Sequence, residues 1–182
     1  MKKLYFVRHG ETHMNVSGRL SGRIETPLTD KGRLQAIKTG KHIKKHLPAI
    51  DLIICSPFER AYDTAKSIAK EIDYPMTKIL KNELFVERTF GILEGTLVLD
   101  FYVDHDYRDI DLVEGAESIK DLDARAAEAL KYVKSLKTYD SVLIVSHGSF
   151  GRAFRRAVND LPHTHEYETY LPIANAEIVE LI

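Results

Sequence analysis

Residues Leu4-Tyr5-Phe6-Val7-Arg8-His9-Gly10-Glu11-Thr12 decide how this 182-residue chain is read. A short apolar run ends abruptly in an arginine, a histidine and a glycine. The pattern returns at Val142-Leu143-Ile144-Val145-Ser146-His147-Gly148-Ser149, where a second apolar run also delivers a His-Gly pair. Continuous runs rich in β-branched residues suit strands buried on both faces, as in a parallel sheet. In open α/β sheets the ligand crevice lies beyond the carboxyl ends of such strands. His9 and His147 are therefore candidates for one shared site.

Outward from these two runs, Gly10–Thr26 reads as a loop that carries Asn15, Arg19 and Arg23. Thr29 is a plausible N-cap for a helix whose apolar residues Leu34, Ile37, Ile43 and Leu47 recur at helical spacing. Asp51–Cys55 is a further strand candidate. Ser56-Pro57 reads as a helix opening, a capping side chain followed by proline at the first helical position, with Arg60 in the first turn. Ala61, Ala65, Ile68 and Ile72 continue that helix as an inward stripe. A short strand at 77–80 is expected, then irregular backbone over 82–95, which holds Glu83, Glu87, Glu94 and two glycines.

Residues 96–117 carry seven acidic groups against one arginine, which reads as a surface lid. Ser118 is placed to cap a helix through about 137, with Ile119, Leu122, Ala126, Leu130 and Val133 inward. A helix follows His147, residues 160–172 read as a loop, and Ile173–Ile182 as a final strand. One domain spanning 1–182 is expected, since no linker divides the chain.

Composition narrows the function classes. The net charge of −1 argues against a nucleic-acid partner, because phosphate-backbone binding needs a basic face. No run approaches membrane-spanning length, and the apolar stretch before Arg8 is too short for a signal-peptide core. The lone Cys55 excludes an internal disulfide framework and reads as a small buried apolar residue. A cytoplasmic protein is expected on these grounds.

Arg8, His9, Arg60 and His147 at strand ends, with Glu87 added, form a set suited to phosphoryl transfer. A phosphomonoester dianion needs fixed cations and N–H donors, and the planar arginine fork meets its oxygens bidentately. Neutral histidine is a competent nucleophile near pH 7, and a carboxylic acid can protonate a leaving oxygen. Singly, an arginine or glutamate is most often a solvated surface charge, and His13, His42, His46, His105, His163 and His165 read that way. Cysteine-dependent phosphatases space their cysteine and arginine by five residues. Cys55 and Arg60 are separated by four, with no glycine between. No zinc-ligand spacing and no Walker-type glycine loop is present, so neither a metal nor another cofactor is expected.

With these residues in place, the chain resembles the histidine phosphatase superfamily, also called phosphoglycerate mutase-like. Arg8-His9-Gly10-Glu11-Thr12 with Asn15 matches the family's signature. Gly18-Arg19, Gly22 and Pro27-Leu28-Thr29 follow in the usual order, then Ser56-Pro57 with Arg60-Ala61 and Thr64-Ala65. Glu87-Arg88, Glu94-Gly95, Gly115, Glu117-Ser118, Arg125 and Val145-Ser146-His147-Gly148 complete the series.

The resemblance implies a three-layer α/β/α sandwich around a mostly parallel sheet. It implies that His9 attacks phosphorus to give a phosphohistidine, and that Glu87 is general acid and base. Arg8, Arg60 and His147 would bind the phosphoryl group, with Asn15, Ser21 and Gly22 at the same site and no metal required. The expected partner is a small phosphorylated metabolite, and assembly as a homodimer is compatible with this reading. Met14 stands where the family has tryptophan, and Ser21 replaces a common glutamine. Glycolytic mutases carry a basic, arginine-containing segment where this chain has its acidic lid. A phosphatase is therefore expected over a mutase, and both over a catalytically silent phospho-ligand-binding protein.

Overall fold

The computed structural model describes residues 1–102, 107–161 and 172–182. His105, His163, His165, part of the expected lid and most of the 160–172 loop lie outside the described residues. Strand β1 (Lys3–Arg8) is followed by the one-turn helix α1 (His13–Val16), helix α2 (Asp30–His46), β2 (Leu52–Cys55) and α3 (Glu59–Glu71). Then come β3 (Leu80–Lys81), α4 (Val98–Tyr102), α5 (Ile119–Ser135), β4 (Ser141–Ser146), α6 (Gly148–Val158) and β5 (Ile178–Glu180). The sheet order is β3-β2-β4-β1-β5, parallel except for β5, which runs antiparallel to β1.

Strand alternation divides the buried side chains between two layers of helix. Leu4, Phe6, Ile54, Val142 and Ile144 face α5 and α6, meeting Leu122, Leu130, Val133, Phe150 and Phe154. Tyr5, Val7, Ile53, Cys55, Leu143 and Val145 face the other way, onto Ile43 of α2 and Ala65, Ile68 and Ala69 of α3. The result is the expected α/β/α sandwich. Each fully buried Leu, Ile or Phe contributes about 1.5–3 kcal/mol over exposure, so the central strands anchor whatever their ends carry.

Register then sets the site. Leu4 pairs with Val142 and Arg8 with Ser146, so both His-Gly pairs leave the sheet side by side, and the His9 N–H donates to Ser146 O at 2.8 Å. Cys55 pairs with Val145, which brings Ser56 to the same edge.

Helix caps follow the sequence at α2 and α5. Thr29 Oγ1 accepts from the Gly32 N–H at 2.9 Å, and Ser118 Oγ from the Asp121 N–H at 3.0 Å. At α3 the expectation is corrected. The helix begins at Glu59, its cap Phe58 makes no side-chain bond, and Pro57 lies ahead of the helix rather than at its first position. Ser56 is committed elsewhere, to His147.

The inward face of α2 also differs. Leu34 is 65% exposed, whereas Gly32, Ala36, Gly40 and Ile43 are buried. A Cβ on Gly40 would stand 2.7 Å from Glu71 Cβ, so α2 lies against α3 through small residues, while Ile43 and Leu47 pack inward as expected. The expected strand at 77–80 is shifted to Leu80–Lys81, because Met76–Lys78 closes a 3₁₀ turn.

The excursion after Gly95 is held down by Leu20, Phe90, Ile110 and Ile119, with Val98 and Val113 against them. Two of its acidic groups do structural work. Asp111 pairs with the buried Arg88 and accepts the Ile119 N–H, while Glu117 pairs with Arg125 through two contacts of 2.7 and 2.8 Å. These carboxylates are neutralised by arginines outside the stretch, which counting charges within it does not reveal.

Candidate active site

A pocket of about 180 Å³ opens at the carboxyl ends of β1 and β4. It is lined by Arg8, His9, Asn15, Ser21, Gly22, Arg60 and Glu87, all named from the sequence. His147 is fully buried behind it, its ring centroid 5.2 Å from that of His9. The volume is below the roughly 300–1,000 Å³ of sites that bury drug-sized ligands, so a small molecule fits its scale.

His9 is 4% exposed and is oriented by its own loop. Its Nδ1 lies 2.8 Å from Gly10 O, a group that only accepts, so Nδ1 carries the hydrogen and Nε2 keeps its lone pair. Burial, then Arg60 and Arg8, hold the His9 imidazole well below its ordinary pKa and hence neutral. The loop is pinned from two sides. Gly10 N–H donates to Thr64 Oγ1 at 3.0 Å, and a Cβ on Gly10 would collide with Gly32 O at the start of α2.

Arg60, 1% exposed, reaches the pocket from the first turn of α3. Its Nη1 and Nη2 donate to Ile24 O and Gly22 O at 2.9 and 2.7 Å, while Nε has no partner among the described residues. Arg8 Nη1 donates to Ile173 O at 2.9 Å, and its buried Nε is likewise unpartnered among the described residues. Arginine stays charged at neutral pH, so the pocket wall carries two fixed, partly unsatisfied cations. Unsatisfied buried donors are costly, which is a reason to expect an acceptor ligand.

Glu87, 8% exposed, is held by three backbone N–H groups. Oε1 accepts from Arg88 at 2.9 Å and Phe150 at 3.0 Å, and Oε2 accepts from Ser149 at 3.2 Å. It thereby serves the open N-terminus of α6, whose cap His147 makes no side-chain capping bond. The competing carboxylates are accounted for. Glu94 Oε1 is taken by the N–H groups of Arg23 and Phe90 and by Thr89 Oγ1, and Glu83 does not line the pocket.

Three features of the site and its support escaped the sequence reading. Arg152 stands one turn into α6 on the pocket wall, where a residue at that helical phase after His147 could have been singled out. Asn175 Nδ2 donates to His9 O at 3.0 Å and to Asn15 Oδ1 at 3.2 Å. Asn15 Oδ1 also accepts from the Thr12 N–H at 3.1 Å, so the amide nitrogen of Asn15 is the end left for a ligand. Nothing in the sequence marks Asn175 beyond its place before the last strand. Finally, Val98 is the one described residue of 96–117 that lines the pocket, so no described carboxylate of the acidic stretch lines it. Among the described residues no cluster of three or more His, Cys, Asp or Glu is placed to hold a metal ion, and no helix is long and apolar enough to cross a membrane.

Comparison with known proteins gives the family. PhoE of Bacillus subtilis (strain 168), named as an uncharacterized phosphatase, is 32% identical over 152 residues, 82% of this chain and 73% of that one. A 2,3-bisphosphoglycerate-dependent phosphoglycerate mutase of Bartonella bacilliformis is 35% identical over 94 residues, so the match spans 52% of this chain and 46% of the mutase. The solved structure of mycobacterial glucosyl-3-phosphoglycerate phosphatase with VO3 superposes with a TM-score of 0.83 at 25% identity, covering 99% of this chain and 90% of that one. The profile of the histidine phosphatase superfamily (branch 1) matches residues 4–182, and the chain belongs to that family.

Proposed function

We propose that this protein is a metal-independent phosphatase that hydrolyses a small phosphomonoester through a phosphohistidine on His9. The observation that carries the reading is the convergence of a neutral, oriented histidine with Arg8, Arg60 and Glu87 on one small pocket.

In this scheme His9 Nε2 attacks phosphorus as the bond to the leaving oxygen breaks. Arg8, Arg60, His147 and the Asn15 amide hold the equatorial oxygens. Glu87 gives its proton to the leaving oxygen, then takes one from the water that attacks the phosphohistidine, which frees phosphate and restores His9. The arginines supply the charge stabilisation that a metal supplies elsewhere.

Release of phosphate from an aryl phosphate in EDTA, compared between the parent and His9→Ala, tests the reading. Turnover that survives EDTA and vanishes in the variant is expected. Loss in EDTA with retention in His9→Ala would overturn it.

One observation favours a second reading. The pocket wall includes Arg19 and Arg152 besides Arg8 and Arg60, a lining that suits a substrate with a second anionic group, including a phosphoglycerate passed between two hydroxyls. Hydrolysis is favoured by identity over the long matches: a relative named a phosphatase is 32% identical over 82% of this chain, and one named a mutase is 28% identical over 96% of it. Interconversion of 2- and 3-phosphoglycerate without net phosphate release would decide for the mutase.

A further inference from the structure

His147 and Ser56 form a buried pair whose chemistry is distinct from that of His9. Both are 0% exposed, and His147 Nε2 lies 2.8 Å from Ser56 Oγ. The other ring nitrogen, Nδ1, is buried with no partner among the described residues. His9 meets a carbonyl, which can only accept. His147 meets a hydroxyl, which can donate or accept, so the state of its ring depends on where the serine proton goes.

The surroundings of Ser56 settle the direction. Its Oγ accepts a long bond from the Phe58 N–H at 3.4 Å, which uses oxygen lone-pair capacity and leaves the hydroxyl hydrogen to be placed. The only acceptor within hydrogen-bond distance of that hydrogen, among the described residues, is His147 Nε2. Phe58 packs edge-on against the His147 ring with centroids 5.6 Å apart, and the Arg60 guanidinium lies over the Phe58 ring at 4.8 Å. Burial foremost, and then the nearby arginines, disfavour a second proton on the ring.

We infer that Ser56 is a positioning residue: its hydroxyl donates to His147 Nε2 and fixes the imidazole as the Nδ1–H tautomer, so that Nδ1–H is the donor offered to a phosphoryl oxygen. In water the opposite tautomer, with hydrogen on Nε2, predominates for a free histidine side chain. With that tautomer the unpartnered Nδ1 would turn a lone pair toward an anion held by Arg8 and Arg60. Ser56 therefore changes His147 from a group that repels the ligand to one that binds it, through the hydrogen bond at the remote nitrogen. The inference rests on the phosphatase reading for its ligand, but the tautomer is a property of the resting protein.

The test is a long-range ¹H–¹⁵N correlation spectrum of the full chain at neutral pH, with the His147 signals identified by their loss in His147→Gln. The parent is expected to show a protonated Nδ1 and an unprotonated Nε2. A proton on Nε2 in the parent overturns the inference, whatever the activity assays give, and needs no variant of Ser56 to fold. In Ser56→Ala the populations are expected to move toward Nε2–H, with orthovanadate binding weakened about tenfold or more, the scale of one hydrogen bond to a charged group. Unchanged tautomer and vanadate affinity in a folded Ser56→Ala also overturn it. If the parent binds orthovanadate but turns over no phosphomonoester, the phosphatase reading fails while the role of Ser56 in anion binding stands.

Discussion

The backbone N–H of Gly10 donates to Thr64 Oγ1 at 3.0 Å, and the same hydroxyl donates to Arg60 O at 2.7 Å. One buried side chain thus ties the loop that carries Arg8 and His9 to the helix that carries Arg60. The three groups converge because β1 and α3 are locked together at the residue between them, within the α2/α3 layer of the sandwich.

Thr64→Val keeps the shape of the side chain and removes both bonds. The Gly10 N–H is then buried without an acceptor, which costs about 1–3 kcal/mol. Urea unfolding should show that loss as a lower midpoint with an unchanged slope, and kcat/KM should fall further than the stability loss explains, because His9 and Arg60 are no longer fixed to each other. Full activity in Thr64→Val would show that the loop is held by the close approach of Gly10 to Gly32 alone.

Glu87→Gln retains one oxygen, enough for the N–H groups of Arg88 and Phe150, loses the acceptor of the Ser149 N–H, and cannot give up a proton. With an alkyl phosphate, whose leaving oxygen needs protonation, kcat/KM, which reports the phosphorylation step, should fall by about 10²–10⁴. With a nitrophenyl phosphate the first step needs little help from an acid, so a smaller loss is expected. Equal losses on both substrates would assign Glu87 to holding α6 rather than to proton transfer.

The two buried histidines make stability depend on pH in a definite direction. Burial foremost, with Arg60 and Arg8 beside them, keeps His9 and His147 below their ordinary pKa of about 6.5. Below pH about 6.5 the unfolded chain therefore binds protons that the folded chain refuses, so stability is present above that pH and is lost as the pH falls. Each histidine adds a slope of up to about 1.4 kcal/mol per pH unit. Chemical denaturation from pH 7 to pH 5 should show the loss, and His9→Ala should make it shallower. An identical slope in parent and variant would contradict the neutral state of His9.

Cys55 ends β2 inside the core, and burial pushes its thiol up to about 12. The thiolate is the reactive form, so native protein should react with a thiol reagent only as fast as it unfolds, and denatured protein at once. Rapid stoichiometric labelling of the native state, with activity intact, would contradict this packing.

Much of this was legible in the sequence, for a reason visible in the strands. Buried parallel strands are continuous apolar runs, so the points where β1 and β4 stop are sharp, and Arg8, His9 and His147 stand at those points. Arg60 and Glu87 became legible through spacing shared with a family. Other positions were hidden by physics that sequence pattern does not carry. Ser56 looks like a cap because serine before proline is one elsewhere; here the hydroxyl is taken by a histidine far along the chain. Leu34 looks inward because it is large, yet the close approach of α2 to α3 selects Gly40 and Ala36. The carboxylates of Asp111 and Glu117 look like a repulsive lid until their arginines, Arg88 and Arg125, are seen across the fold. Asn175 depends on a tertiary contact with His9 and Asn15 that no local pattern announces.

The central claim is that phosphorus passes through His9. Rapid quench of the parent with a labelled phosphomonoester, followed by peptide mapping under alkaline conditions that preserve phosphoramidates, measures this directly. The account predicts a label on His9 that forms and decays at rates competent for turnover, is lost in acid, and is absent from His9→Ala. A label on another residue, or turnover in His9→Ala at the rate of the parent, would contradict it.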